Sequence, residues 1–260
     1  VAIEVRAKER LRAFLEQDRG LSVYFIGDLA EPYWSRCRWW MDSENPAALA
    51  LLYAHPQYPT VLTLGDAEGV QRIVEDCADQ WPTSFHAHLL PAHVPVFEER
   101  YELSSCSTFL RMVQDKEEAG RVLNANADGS VKRLAASDLP QIRDLLNDYP
   151  EAFFSDDNLD SGFYFGIYDG PILATMAGVH VVSSESKVAA GGNVVTRKTH
   201  RRQGYSKRCT TEALRHLFDA VDVVALNVLD GNVPAIREYE DLGFRRYAEL
   251  VLGYCRRLGS

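Results

Sequence analysis

Between Arg197 and Arg208 a chain of formal net charge −9 turns basic: Arg197, Lys198, Arg201, Arg202, Lys207 and Arg208, with His200 and no carboxylate. Gly204 sits inside the run, in Arg201-Arg202-Gln203-Gly204-Tyr205-Ser206, and a helical pattern follows at once. The first turn of a helix offers N–H groups without intrahelical partners and the positive end of the dipole, and glycine lets an anion approach the main chain. The chemistry such a turn suits is the holding of phosphate groups. The alternative is a solvated, charged helix end.

The flanking elements position that turn. Val188 to Thr196 is apolar and small, with Gly191-Gly192 inside it, and reads as a buried strand with a bulged middle. Lys207 to Ala220 carries Cys209, Ala213, Leu214, Leu217 and Phe218 at helical spacing. Strand, cationic glycine turn and helix follow in that order. A Walker P-loop (GxxxxGK[ST]) and a dinucleotide fingerprint (GxGxxG) are both absent from the turn. A further strand, Val223 to Val228, leads through Asp230-Gly231 to Asn232, a suitable N-cap, and to a short helix ending near Leu242 at Gly243. Pro234 is tolerated in its first turn, and Ala235, Tyr239 and Leu242 share a face. The last strand spans Tyr247 to Tyr254.

Arg201, Gly204 and Ser206, then Leu226-Asn227-Val228, then Asn232, Ala235, Ile236, Tyr239, Gly243 and Phe244 make an ordered pattern that resembles the GNAT superfamily of N-acetyltransferases. Gly192-Asn193-Val194-Val195-Thr196 and Ala177-Gly178-Val179-His180-Val181 are similar to its glycine N-acyltransferase-like branch. The resemblance covers about residues 130 to 258. It implies that Val194, Val195 and Thr196 bond the pantetheine arm of acetyl-CoA through their main chain. It further implies that Arg201, Arg202, Gln203, Gly204, Tyr205, Ser206 and Lys207 cradle the diphosphate, that Asn232, with Ala235 beside it, meets the coenzyme arm, and that Tyr239 protonates the leaving thiolate. A phenol of reference pKa ~10 can donate to thiolate charge at neutral pH. The other reading of Tyr239 is a core tyrosine with its hydroxyl at the edge. The pattern departs from the family at Lys198, where proline is common, and at Ser206, where glycine or alanine is usual; the Ser206 hydroxyl is a candidate extra phosphate contact.

The acceptor amine must lose a proton. Many members of that family use a glutamate on the strand before the basic turn, and Val188 to Thr196 contains none. His180 is the first candidate base, its alternative being a packed core histidine. Glu185 and Asn193 are weaker candidates, and proton loss to water is also open. Tyr149 to Asp157 is aromatic and acidic, suited to a cationic amine through Glu151, Asp156 and Asp157, or else a plain surface loop.

The expected fold is α/β (α+β), a tandem GNAT-like acyl-CoA N-acyltransferase fold with a mixed central sheet flanked by helices. Asp115 to Ser130 is polar and turn-rich, which places a degenerate GNAT-like domain at 1–125 and a catalytic domain at 126–260. In the second, a strand at Val131 to Leu134, a helix through Leu139, Ile142, Leu145 and Leu146, and a hairpin about Asp169-Gly170 are expected. The first half shows a similar order: a helix near Val5 to Gln17, strands near Trp39 to Met41, at Ala48 to Tyr53 and at Thr60 to Leu64, a helix from Val70 to Ala78, a strand near Phe85 to Leu89, a short helix near Val94 to Arg100, and a strand at Thr108 to Val113. Its turn carries Asp66 and Glu68, which repel a diphosphate.

The scattered cysteines Cys37, Cys77, Cys106, Cys209 and Cys255 read as free thiols of a reducing cytoplasm, and the charged start of the chain is unlike a secretory signal. His86, His88 and His93 read as loop or strand surface rather than a metal site, so no metal is expected. No apolar run is long enough for a membrane helix. The acidic balance, concentrated in the first half, disfavours nucleic acid. The combined expectation is a cytoplasmic, acetyl-CoA-dependent N-acetyltransferase, monomeric or homodimeric, moving an acyl group directly to an amine of a small molecule or peptide. The alternative is a non-catalytic acyl-CoA-binding regulatory module.

Overall fold

The structure, a computed structural model, describes every residue except Pro32, Gln57, residues 124–127, Glu151, Phe153 and Ser260, and the side chains of Arg121 and Val122. Part of the expected boundary, and Glu151 of the acceptor loop, therefore lie outside the described residues.

In chain order the elements are β1 (Ile3–Glu4), α1 (Lys8–Leu15), α2 (Arg19–Gly27), β2 (Cys37–Met41), β3 (Ala48–Tyr53), β4 (Thr60–Gly65), α3 (Ala67–Cys77), β5 (Ser84–Leu89), α4 (Val94–Glu98) and β6 (Tyr101–Asp115). There follow α5 (Lys116–Val122), β7 (Val131–Arg133), α6 (Leu139–Leu146), β8 (Phe165–Asp169), β9 (Ile172–Ser183), β10 (Val188–Thr196), α7 (Tyr205–Ala220), β11 (Val223–Leu229), α8 (Val233–Asp241) and β12 (Arg245–Arg257). The mixed α/β class expected from the sequence is what is found. Packing divides the chain into two compact units: Val1–Arg111 with Val228–Gly231 and Tyr247–Ser260, and Met112–Asn227 with Asn232–Arg246.

In the first unit β1 to β4 pair antiparallel in sequence order, β5 lies parallel to β4, and β12 pairs antiparallel with β5. Its core is aromatic: Trp40, Trp81, Phe85, Phe97 and Tyr101 are buried together, each worth several kcal/mol of burial, about 25 cal/mol per Å². Helix α2 is absent from the sequence reading. Asp18 caps it, accepting from the Leu21 N–H at 2.9 Å, and its largely apolar run, with Ser22 buried inside it, lacks the polar face that marks a surface helix. His93 corrects the reading of a surface histidine. It is 0% exposed, and its ring bonds Thr63 Oγ1 at 2.9 Å and the Gly65 carbonyl at 3.0 Å.

In the second unit β7, β8 and β9 pair antiparallel in sequence order, β10 lies antiparallel to β9, and β11 lies parallel to β10. The two units thus repeat one pairing scheme: antiparallel strands, then a parallel pair joined through a helix. The β8–β9 turn bends at Gly170, φ +55. Helix α7 buries Cys209, Thr210, Ala213, Leu214, Leu217 and Phe218, the stripe expected from its spacing. Residues 116–122, expected to be irregular, form α5. Glu117 and Glu118 in its first turn suit the helix dipole, and the Lys116 N–H bonds the Asp222 carbonyl at 2.9 Å. No helix among the described residues is long and apolar enough to cross a membrane.

Candidate coenzyme-binding site

The parallel register of β10 with β11 covers Val188↔Val223 through Gly191↔Leu226. Beyond it, Gly192 to Thr196 pair with β9 among the described residues, with register shifts after Ala190 and between Gly192 and Val195. These shifts mark a bulge. Asn193 lies in it at φ +51, a left-handed backbone that asparagine tolerates better than most residues. Its Nδ2 donates to the Tyr164 hydroxyl at 2.8 Å, and that hydroxyl donates to the Val179 carbonyl at 2.9 Å. Tyr164 fits only because position 178 is glycine: a Cβ there would fall 2.2 Å from the ring. The Gly-Gly-Asn sequence therefore bends β10 away from its parallel neighbour, as a bulge does.

Past the bulge the strand alternates. The Arg197 N–H donates to the Ala174 carbonyl at 2.8 Å, and the Val195 carbonyl accepts from Thr175 Oγ1 at 2.9 Å. Both residues turn their main chain to β9, so Thr196 between them turns its own to the opposite side. Val194 packs its side chain against the cluster of Phe165, Ile167, Ala177, Cys209 and Ala213.

The basic turn connects β10 to α7. Arg202 (φ +65) and Gly204 (φ +72) are both left-handed, and Gly204 is the N-cap of α7 with no side chain capping the helix. The first intrahelical bond of α7 joins the Arg208 N–H to the Gly204 carbonyl at 3.2 Å. A Cβ on Gly204 would meet nothing within 4 Å, so the mouth of the helix is open on that side. The fold also brings in carboxylates that the local sequence lacks. Arg197 pairs with Asp144 at 2.6 Å, Lys207 with Asp241 at 2.8 Å and Arg208 with Asp128 at 2.5 Å. Among the described residues Lys198, Arg201 and Arg202 form no ion pair. The Lys207–Asp241 pair is half exposed and worth at most about 1 kcal/mol, so an arriving dianion can outcompete it. Ser206 departs from expectation: its hydroxyl donates to Glu238 Oε1 at 2.6 Å, so its proton is already engaged.

Helix α8 starts at Asn232, whose Oδ1 accepts from the Ala235 N–H at 3.4 Å, a long capping bond. Its amide N–H groups are not used by that cap. Gly243 (φ +92) ends the helix, and the Phe244 N–H returns to the Tyr239 carbonyl at 2.9 Å. Phe244 then packs edge-on against the Tyr239 ring, centroids 5.8 Å apart. Tyr239 is 8% exposed, and burial with the Glu238 charge beside it pushes its phenol well above the usual range. The Tyr239 hydroxyl makes no hydrogen bond among the described residues. Glu238 itself is held at the first turn of α7 by Ser206.

His180 lies on β9 beside the bulge. Its ring covers Gly192, where a Cβ would fall 2.1 Å from Nε2. Burial lowers its pKa to about 4, so it is neutral at pH 7. Asn193 gives one amide N–H to the Tyr164 hydroxyl. Glu185 lies in the turn before Val188, at the far end of a nine-residue strand, roughly 25–30 Å from Thr196 at about 3.3 Å per residue. In the acceptor loop, Asp156 is paired with Arg143 at 2.6 Å, Asp157 is exposed, and Phe154 packs edge-on against Tyr164, centroids 5.7 Å apart. No group of acidic, histidine or cysteine residues able to hold a metal occurs among the described residues. The sequence reading missed the carboxylates of Asp128, Asp144 and Asp241, the Tyr164 buttress and the Glu238 tie, which are long-range partners without a local signal.

Residues 130–244 match the model of the acetyltransferase (GNAT) family. No curated protein matches the chain. Solved structures with similar folds include a tandem GNAT protein from the clavulanic acid biosynthesis pathway, 13% identical, covering 100% of this chain and 99% of that one with a TM-score of 0.61. A GCN5-related N-acetyltransferase from Sphaerobacter thermophilus is 11% identical over 98% of this chain and 95% of that one, TM-score 0.61. Another from Kribbella flavida is 18% identical over 82% and 88%, TM-score 0.54. At these identities the likeness is one of fold.

Proposed function

We propose that residues 126–260 bind acetyl-CoA and transfer its acyl group directly to an amine of a small molecule or peptide. The observation that carries this is the mouth of α7, with left-handed Gly204 at its N-cap, no side-chain cap among the described residues, and Arg201 and Arg202 before it in no ion pair among those residues, where β10 has left its parallel partner. First-turn N–H groups, a helix dipole and guanidinium groups in no ion pair among the described residues fit a diphosphate. The N–H of Thr196, turned away from β9, fits an extended amide-bearing arm.

When bound, the coenzyme supplies a thioester: the amine nitrogen bonds its carbonyl carbon, the carbon–sulfur bond breaks and sulfur leaves as thiolate. Tyr239 keeps its proton throughout the neutral range, because burial opposes ionisation, and its hydroxyl donates a hydrogen bond to the charge developing on that sulfur, which takes up the proton the amine releases. The amine must shed a proton as well. His180, neutral with a pKa of about 4, cannot hold the proton of an alkylammonium of pKa ~10. It serves by accepting a hydrogen bond from the amine while water carries the proton away. This weak basicity is also what favours the second reading, an acyl-CoA-binding module without turnover.

The first unit supports the assignment by contrast, as a degenerate copy. Asp66 caps α3, accepting from the Gly69 N–H at 2.6 Å, so that helix mouth already holds its own carboxylate. His93, bonded to Thr63 and Gly65, fills the end of β4. Calorimetric titration with acetyl-CoA, followed by thiol release with a panel of amines, tests the reading. Saturable binding with amine-dependent thiol is the expected result; binding without thiol selects the second reading, and no binding removes both.

A further inference from the structure

The passage from β10 into the basic turn is gripped by the end of α6. Arg197 pairs with Asp144 at 2.6 Å, the Lys198 N–H donates to Asp148 Oδ2 at 3.3 Å, and the Tyr149 hydroxyl donates to the Thr196 carbonyl at 2.5 Å. Three consecutive residues of the passage are thus held by one helix end. Tyr149 does more than hold the chain. Its hydroxyl also accepts from Arg201 Nη2 at 2.8 Å, and the guanidinium lies 5.7 Å from the ring centroid.

A phenol has one proton to give and can accept as well, and here both capacities are used. The proton goes to a carbonyl on the side of β10 turned away from β9, where a bare oxygen lone pair would face an approaching anion. The accepted bond fixes Arg201 while consuming one of its five donors. The remaining donors are left for phosphate oxygens, with the rotamer entropy of a long side chain already lost before the ligand arrives.

We propose that Tyr149 is a positioning residue for the coenzyme diphosphate, orienting Arg201 and shielding the Thr196 carbonyl. This rests on the coenzyme reading given above. It adds a residue outside the strand–turn–helix motif, at the start of the acceptor loop that follows α6.

The test compares acetyl-CoA with acetyl-pantetheine, which keeps the thioester arm and lacks the diphosphate. Tyr149→Phe preserves the ring and removes the hydroxyl. We expect it to weaken acetyl-CoA binding about 5- to 20-fold, the range of one charge-assisted hydrogen bond, and to leave the acetyl-pantetheine Kd unchanged. Arg201→Gln should cost a similar factor, and Tyr149→Phe should add little in that background, because the two act as one unit. Equal weakening of both ligands, no weakening of either, or full additivity of the two substitutions overturns the proposal. A wild-type protein that binds acetyl-pantetheine and not acetyl-CoA overturns it while leaving a thioester site; one that binds neither removes the coenzyme reading as well.

Discussion

Asn193 donates its side-chain amide to the hydroxyl of Tyr164 at 2.8 Å, and this bond ties the bulge of β10 to a ring buried under β9. One contact therefore links a left-handed backbone position, a buried phenol and the departure of β10 from β11. Because Tyr164 in turn bonds the Val179 carbonyl, the bulge is braced through the neighbouring strand.

Replacing Asn193 tests that brace. Asn193→Ala loses the hydrogen bond and places a Cβ-bearing residue with no compensating polar group at φ +51. The expected loss is about 2–3 kcal/mol of stability, from an unsatisfied partner and a left-handed alanine. Asn193→Gly keeps the backbone freedom and should cost about half as much. Urea midpoints measure both, and equal losses would show that backbone strain is irrelevant there.

Tyr239→Phe separates binding from chemistry. The ring packs on Phe244 and the hydroxyl has no protein partner among the described residues, so stability should change by less than about 1 kcal/mol. Turnover should fall about 10- to 100-fold, a loss at the low end of general acid catalysis, with the acetyl-CoA Kd within twofold of wild type. Unchanged turnover removes Tyr239 from the reaction.

The strand–turn–helix core of the second unit was legible because each part has a local cause. The stripe from Cys209 to Phe218 has helical period, Gly191-Gly192 weakens the strand where it bulges, and Gly243 stops α8. Helix α2 was hidden because Arg19 and Ser22 are its only strongly polar residues, too few to mark a polar face and give the apolar run a helical phase. His93 was misplaced because a histidine pattern says nothing about depth; only the fold shows that it closes on Thr63 and Gly65. The basic run looked free of acids because Asp128, Asp144 and Asp241 reach it from other elements, and no spacing rule joins residues so far apart in the chain.

The two helix mouths predict opposite responses. Gly204→Asp at α7 introduces a carboxylate and a strained left-handed aspartate where the diphosphate belongs, and acetyl-CoA binding should fall more than 100-fold by charge conflict. Asp66→Ala at α3 removes a cap, costing about 1 kcal/mol of stability, and should leave acetyl-CoA affinity unchanged. A change of affinity in Asp66→Ala would mean that the first unit takes part in coenzyme binding.

Acid should destabilise the protein through His180. Burial lowers its pKa to about 4 in the folded chain, against about 6.5 for a free imidazole. The unfolded chain takes up a proton near 6.5 while the folded chain does not, so the contribution is whole above 6.5 and is lost as pH falls toward 4. His88, also lowered to about 4, adds in the same sense, and Asp28, raised to about 8, opposes it. The variant His180→Gln isolates one of these. Between pH 7 and 5 it should lose about 1–2 kcal/mol less than wild type, measured by urea unfolding; parallel pH curves would contradict a neutral His180 in the folded chain.

Glu238 sets the last expectation. It bonds Ser206 at the first turn of α7, beside Lys207 and Asp241, and burial raises its pKa while Ser206 and Lys207 oppose the rise and Asp241 assists it. Its negative charge stands near the position assigned to the diphosphate, so ionised Glu238 weakens coenzyme binding and protonated Glu238 does not. Acetyl-CoA affinity should therefore increase as pH falls through the raised Glu238 pKa, above the ordinary carboxylate range. Glu238→Gln should tighten binding about 3- to 10-fold at pH 7.5, from one like charge removed at partial exposure, and should flatten the pH dependence. The tie to Ser206 survives, since a glutamine oxygen still accepts. Titrations of both proteins in steps from neutral to acid pH read this directly, and a wild-type pH dependence matching that of Glu238→Gln would place the diphosphate away from Glu238.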